Sequence, residues 1–164
     1  MDLGLLHRKQ KGFTLVELLV VIAIIGVLAT LVLLQLGTAR ARARDTKRIT
    51  DINQIRTAVE SYFEDNGGTY PTTIDQTTLG KYLTKVPVDP LTGQAYGYAY
   101  HSIGGGRVDG YQVWVKLEQT AAALNGDVDI DSKSLGWSGT TVNGDDANCK
   151  TDPNACIYDQ GITP

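Results

Sequence analysis

Lys11-Gly12-Phe13-Thr14-Leu15-Val16-Glu17-Leu18-Leu19 opens the stretch on which the reading of this 164-residue chain turns. Arg8 and Lys9 stand before it, and an apolar run follows to Leu36, with no polar side chain between Leu18 and Ala29. About 24 residues at about 1.5 Å rise cross a hydrocarbon core of about 30 Å, so residues 13–36 are expected to form a membrane-spanning helix. A secretory signal also starts basic and turns apolar, but it needs small residues at a cut after the run. Thr38-Ala39-Arg40-Ala41 offers only a poor version. Glu17 is the anomaly, because an acid inside an apolar helix costs about 3 kcal/mol at the helix centre, less near the interface. Such a residue usually answers a cation.

Beyond the run, Ile49, Ile52, Ile55, Val59, Tyr62 and Phe63 recur at three- and four-residue steps, with Arg48, Asp51, Gln54 and Glu60 between them. One face is apolar and the other wet, which continues the helix in amphipathic form. Asn66-Gly67-Gly68, with Pro71 just after, is the stop. Residues 13–66 thus make one helix of about 80 Å, with Gly26 and Gly37 as places where it can bend. A short helix is expected at 78–84, followed by turns at Pro87, Asp89-Pro90 and Thr92-Gly93. Tyr96, Tyr98 and Tyr100 alternate, as do Tyr111, Val113, Val115 and Leu117, giving a β-hairpin whose glycine-rich connection runs from Gly104 to Gly110. From Asn125 on, Asp, Gly, Asn, Ser and Thr point to loop and one further short strand. The fold expected is α+β, a lollipop with a long N-terminal helix packed on a small antiparallel sheet.

Charge is segregated. Arg40, Arg42, Arg44, Lys47 and Arg48 crowd one short segment, while eight acids face only Lys133 and Lys150 from Leu117 on. That balance excludes a broad nucleic-acid footprint. The basic segment suits anionic headgroups, acidic neighbours or plain solvent. Charge counting around the span would put the C-terminal part in the cytoplasm. Cys149 and Cys156 argue the other way, because their spacing suits a small disulfide-closed loop in an oxidising compartment, worth roughly 2–3 kcal/mol. A metal site there would want more ligands, and His7 and His101 are distant in sequence. Asp127, Asp129 and Asp131 alternate in an oxygen-rich loop that can hold Ca²⁺ or simply be solvated; Ser132 and Ser138 rule out an EF-hand. No nucleophile–base set, phosphate loop or hydrolase signature is legible, so an enzyme is not expected. His101 stands alone.

The combination of a basic residue and glycine before Phe13, a glutamate four residues after it, and a span that follows resembles the class III signal of type IV pilins and pseudopilins. The resemblance implies that a prepilin peptidase cuts between Gly12 and Phe13 on the cytoplasmic side and N-methylates Phe13. An inner-membrane assembly platform and the chain's own copies or other pilins become the expected partners. The freed amino group of Phe13 is then a cation that Glu17 of a neighbouring subunit can neutralise, setting the stagger of a helical filament core. Further on, Tyr70-Pro71-Thr72 and the segment from Asp89-Pro90 to Tyr96-Gly97-Tyr98 look like stretches of the major pseudopilins of type II secretion. Major pseudopilins often carry calcium near the position of Asp127, Asp129 and Asp131, whereas a C-terminal disulfide loop looks more like a true pilin.

The expected organisation is a leader at 1–12, a transmembrane and filament-core helix at 13–36, its amphipathic continuation at 37–66 and an exported head at 67–164. The expected function is a structural subunit of a type IV pilus-like filament. A secretion pseudopilin is the near alternative, and a bitopic membrane protein with an exported ligand-binding head the remoter one.

Overall fold

The computed structural model describes residues 12–119, 121–144 and 156–164. Helix α1 runs Leu15–Asp65 and α2 runs Gln76–Leu79. Strands β1 (Gly97–Ile103), β2 (Arg107–Lys116), β3 (Trp137–Gly139) and β4 (Ile157–Ile162) follow, with a 3-10 turn at Ala122–Gly126. The chain divides into two units, one ending at Ala39 and the other beginning at Arg40.

In the first unit the described large apolar side chains are exposed from Phe13 (79%), just before α1, to Leu36 (40%) on it. This is the one helix among the described residues long and apolar enough to cross a membrane. Gly26 and Gly37 lie within α1 and do not interrupt it. A helical glycine costs only about 1 kcal/mol relative to alanine, and the long neighbouring runs of good helix formers absorb that.

In the second unit, α1 ends as its glycines require. Gly67 and Gly68 adopt φ of 67° and 76°, and the Gly68 N–H donates to the Phe63 carbonyl at 3.0 Å. This Schellman closure satisfies carbonyls the last turn would otherwise leave open. The four strands form one antiparallel sheet in the order β3-β1-β2-β4. Ile52, Ile55 and Val59 of α1 are fully buried against its inner face, where Tyr98, Tyr111, Val113 and Val115 point inward. Ile49, Tyr62 and Phe63 flank them, half-buried. Each such aliphatic burial contributes about 1.5–3 kcal/mol. The phenols are satisfied as well: Tyr111 Oη donates to Glu60 at 2.7 Å and Tyr98 Oη to the Pro71 carbonyl at 2.7 Å.

Three expectations are corrected. The short helix lies at Gln76–Leu79 rather than 78–84, because the Asp75 carboxylate caps it by accepting from the Thr78 N–H at 2.8 Å. The hairpin connection is only Gly104–Gly106, since β2 already begins at Arg107. Tyr70 N–H donates to the Val108 carbonyl and Val108 N–H to Thr69 Oγ1, which draws the start of β2 into line, and an irregularity at His101/Ser102 absorbs the extra residue. Among the described residues two strands, not one, follow Asn125. β4 was hidden because Asp159 and Gly161 are poor strand formers, and Asp159 is held there by bonds from distant residues.

Candidate functional site

The start of α1 is built by two side chains. Thr14 Oγ1 accepts from the Glu17 N–H at 3.2 Å, and Glu17 Oε2 accepts from both the Thr14 N–H and the Thr14 hydroxyl at 2.8 Å. This is a reciprocal capping box, Thr-x-x-Glu, and it sets the first helical residue at Leu15. Gly12, Phe13 and Thr14 therefore stand outside the helix, with Phe13 exposed, so the Gly12–Phe13 peptide lies in non-helical chain. Only Oε2 of Glu17 is engaged; Oε1 accepts no hydrogen bond among the described residues. Glu17 is thus a local cap with one oxygen left for a cation. The sequence contained this motif in plain form, but the cost of an intramembrane acid drew attention to a distant partner and away from Thr14.

The basic segment at 40–48 is not a uniform solvated face. Arg48 is 3% exposed and sits among three carboxylates. Its Nη1 donates to Asp45 Oδ1 at 2.8 Å and Glu118 Oε1 at 2.6 Å, and its Nε to Asp89 Oδ2 at 2.5 Å. Arg44 grips Glu118 through two bonds of 2.7 and 2.5 Å, and Lys47 pairs with Asp51 at 2.9 Å. Asp51 accepts in turn from Tyr96 Oη at 2.8 Å, and Asp45 from the Glu118 and Gln119 N–H groups. The Arg44 bond, helped by Arg48, lowers the Glu118 carboxyl to about 2. Burial opposes ionisation of Asp89, yet Arg48 and the Thr92 and Leu91 N–H groups hold it well below the ordinary carboxylate range. Arg40 and Arg42 remain exposed. The Asp45–Arg48 and Lys47–Asp51 pairs lie at helical i,i+3 and i,i+4 spacing, but nothing local announces the rest of the network, whose partners are 41 to 74 residues apart.

Asp127, Asp129 and Asp131 do not converge. Among the described residues no group of three acidic, His or Cys side chains is placed to hold a metal ion. Asp131 accepts from the Lys133 N–H at 3.0 Å. The loop is instead organised by Asp159, fully buried, whose oxygens accept from the Asp129 N–H at 3.0 Å, the Ile130 N–H at 2.9 Å and Gln112 Nε2 at 2.6 Å. Cys156 is buried just before β4, and Cys149, its expected partner, lies outside the described residues. His101 Nδ1 lies 2.7 Å from Asp109 Oδ1, with the Trp137 ring edge-on at 5.7 Å.

Residues 7–33 match the prokaryotic N-terminal methylation motif. The chain is 29% identical over 147 residues to type II secretion system core protein G of Aeromonas hydrophila, covering 80% of this chain and 94% of that protein. The Vibrio cholerae core protein G is 36% identical over 106 residues, 56% of this chain and 71% of that protein. A fimbrial protein of Pseudomonas aeruginosa is 43% identical over 54 residues, 33% of this chain and 35% of the relative. No solved structure matches. A capped apolar helix carrying the methylation motif, a small antiparallel head, and a third or more of positions shared over most of the length of such relatives lead to one assignment: the chain belongs to the type IV pilin and type II secretion pseudopilin family.

Proposed function

We propose that this chain is the structural subunit of a type IV pilus-like filament, cut between Gly12 and Phe13 by a prepilin peptidase, methylated at Phe13 and polymerised through residues 13–36. The observation that carries this reading is the run of exposed apolar side chains beginning directly after the Thr14–Glu17 cap. Such a surface must be covered by lipid before assembly and by copies of itself afterwards. Residues 1–12 are the leader, 13–36 the span and later the filament core, 37–66 its amphipathic continuation, and 67–164 the exported head. In the filament, Oε1 of Glu17 is available to the amino group of Phe13 in the next copy. The Cys149–Cys156 loop closes in the oxidising compartment.

A second reading, that the filament is the periplasmic pseudopilus of a secretion system, is favoured by one observation. Similarity to core protein G extends over 94% of that protein, whereas similarity to the fimbrial protein covers 35% of it. The intact mass of the chain in sheared surface material and in inner membranes tests both. Loss of residues 1–12 with gain of one methyl is expected. That mass in the sheared fraction supports a surface pilus, the same mass confined to membranes supports the pseudopilus, and an uncut chain overturns the filament reading.

A further inference from the structure

Folding sorts the five cations that follow the apolar run into two groups. Arg44, Lys47 and Arg48 are taken up by Glu118, Asp51, Asp45 and Asp89. Arg40 and Arg42 stay exposed, and their side chains form no hydrogen bond or ion pair among the described residues. The acids that α1 carries beside them are already committed: Asp45 to Arg48 and the Glu118 and Gln119 N–H groups, Asp51 to Lys47 and the Tyr96 hydroxyl. Ala41, between the two arginines, is buried. Successive helical residues stand about 100° apart, so Arg40 and Arg42 leave α1 from the two flanks of its covered side. Each is open to a partner of its own.

Their place in the sequence says what that partner is. Leu36 closes the apolar run, Gly37, Thr38 and Ala39 follow without charge, and the arginines come four and six residues past Leu36. That is about 6 and 9 Å of helical rise. A bilayer's headgroup layer fills about 5–8 Å on each side of its hydrocarbon core. Arginine's apolar stem lets the charged head lean back toward that layer, so both guanidiniums come level with lipid phosphates. The planar fork of a guanidinium matches two phosphate oxygens at once. A headgroup with net negative charge adds an attraction that a zwitterionic one cancels with its own cation.

We propose that Arg40 and Arg42 bind the phosphate groups of anionic phospholipids on the exported face of the membrane, fixing the depth of α1 while the subunit awaits assembly. This rests on the reading of residues 13–36 as a span with an exported head. A carboxylate of a neighbouring copy is the rival occupant, but it is available only once copies have met, whereas lipid surrounds every unassembled subunit.

The test places the full chain in phosphatidylcholine bilayers and compares the binding of spin-labelled phosphatidylglycerol with that of spin-labelled phosphatidylcholine. The parent should prefer phosphatidylglycerol by about fivefold for each arginine engaged. The preference should shrink in about 1 M salt, where the Debye length falls to about 3 Å. Arg40→Gln with Arg42→Gln should lose it at an unchanged melting temperature, since no described residue partners either side chain. Arg40→Lys with Arg42→Lys should keep most of it, a result that stands even if the glutamine pair misfolds. Arg8, Lys9 and Lys11 also attract anionic lipid, so a preference that survives in the folded glutamine variant would belong to them and overturn the proposal. A parent without any preference would overturn it too. Parental lipid selectivity with a lower filament yield in the glutamine variant would give the arginines to a neighbouring copy, overturning the lipid contact while leaving the filament reading intact. A chain that alkaline carbonate strips from the bilayer would overturn the span and the proposal together.

Discussion

Arg48 and Glu118, 70 residues apart in sequence, meet at 2.6 Å with the arginine almost wholly removed from solvent. This pair ties the middle of α1 to the residues just after β2, and Asp45 and Asp89 complete the enclosure. Buried charges of this kind are costly to form and more costly to break.

Arg48→Met should leave three carboxylates without their shared cation and destabilise the head by about 3–5 kcal/mol. Denaturant unfolding of the full chain in detergent measures this; a loss below about 1 kcal/mol would mean that water replaces the guanidinium.

Acid should act through the same network. Glu118 and Asp89 both have lowered folded-state pKa values, so they bind fewer protons folded than unfolded. Their stabilisation is complete above the ordinary carboxylate pKa of about 4 and is lost as pH falls toward 2. Melting temperatures should be flat above about pH 5 and drop below about pH 4. Glu118→Gln should lower the plateau and flatten part of the drop; an unchanged acid limb would assign the sensitivity elsewhere.

Thr14→Val and Glu17→Ala separate two roles of one motif. Both remove the capping box, at a cost of about 1 kcal/mol to the helix start, visible as faster amide exchange over the first turn. Only Glu17→Ala also removes the carboxylate offered to a neighbouring Phe13. Filament yield should therefore fall far more for Glu17→Ala than for Thr14→Val, and equal losses would assign the effect to the cap.

The loop at 127–131 should depend on Asp159 more than on its own acids. Asp159→Ala removes three hydrogen bonds at a fully buried site and should cost about 3 kcal/mol or more, with faster exchange of the Asp129 and Ile130 amides. Asp131→Asn should change stability by less than about 0.5 kcal/mol. A melting temperature that rises on adding Ca²⁺ and returns on chelation would instead show that the loop's acids gather around an ion.

What the sequence determined by itself was local and periodic. The apolar run from Phe13, the three- and four-residue recurrence from Ile49 to Phe63, the Asn66-Gly67-Gly68 stop and the alternating tyrosines each repeat a short-range backbone constraint, and the structure carries all of them. Thr14 and Glu17 were equally local and could have been read as a cap. Tertiary structure alone decided the rest. Arg44 and Arg48 read as part of a basic run suited to headgroups, acidic neighbours or solvent until Glu118 and Asp89 of the same chain were brought to them by folding. Asp159 was only one of the eight acids after Leu117 until the amides of residues 129 and 130 closed on its carboxylate. A charge's meaning depends on what the fold sets within about 4 Å of it, and in this head Asp89, Glu118 and the residue 129 and 130 amides come from segments whose separation from their partners no local pattern encodes.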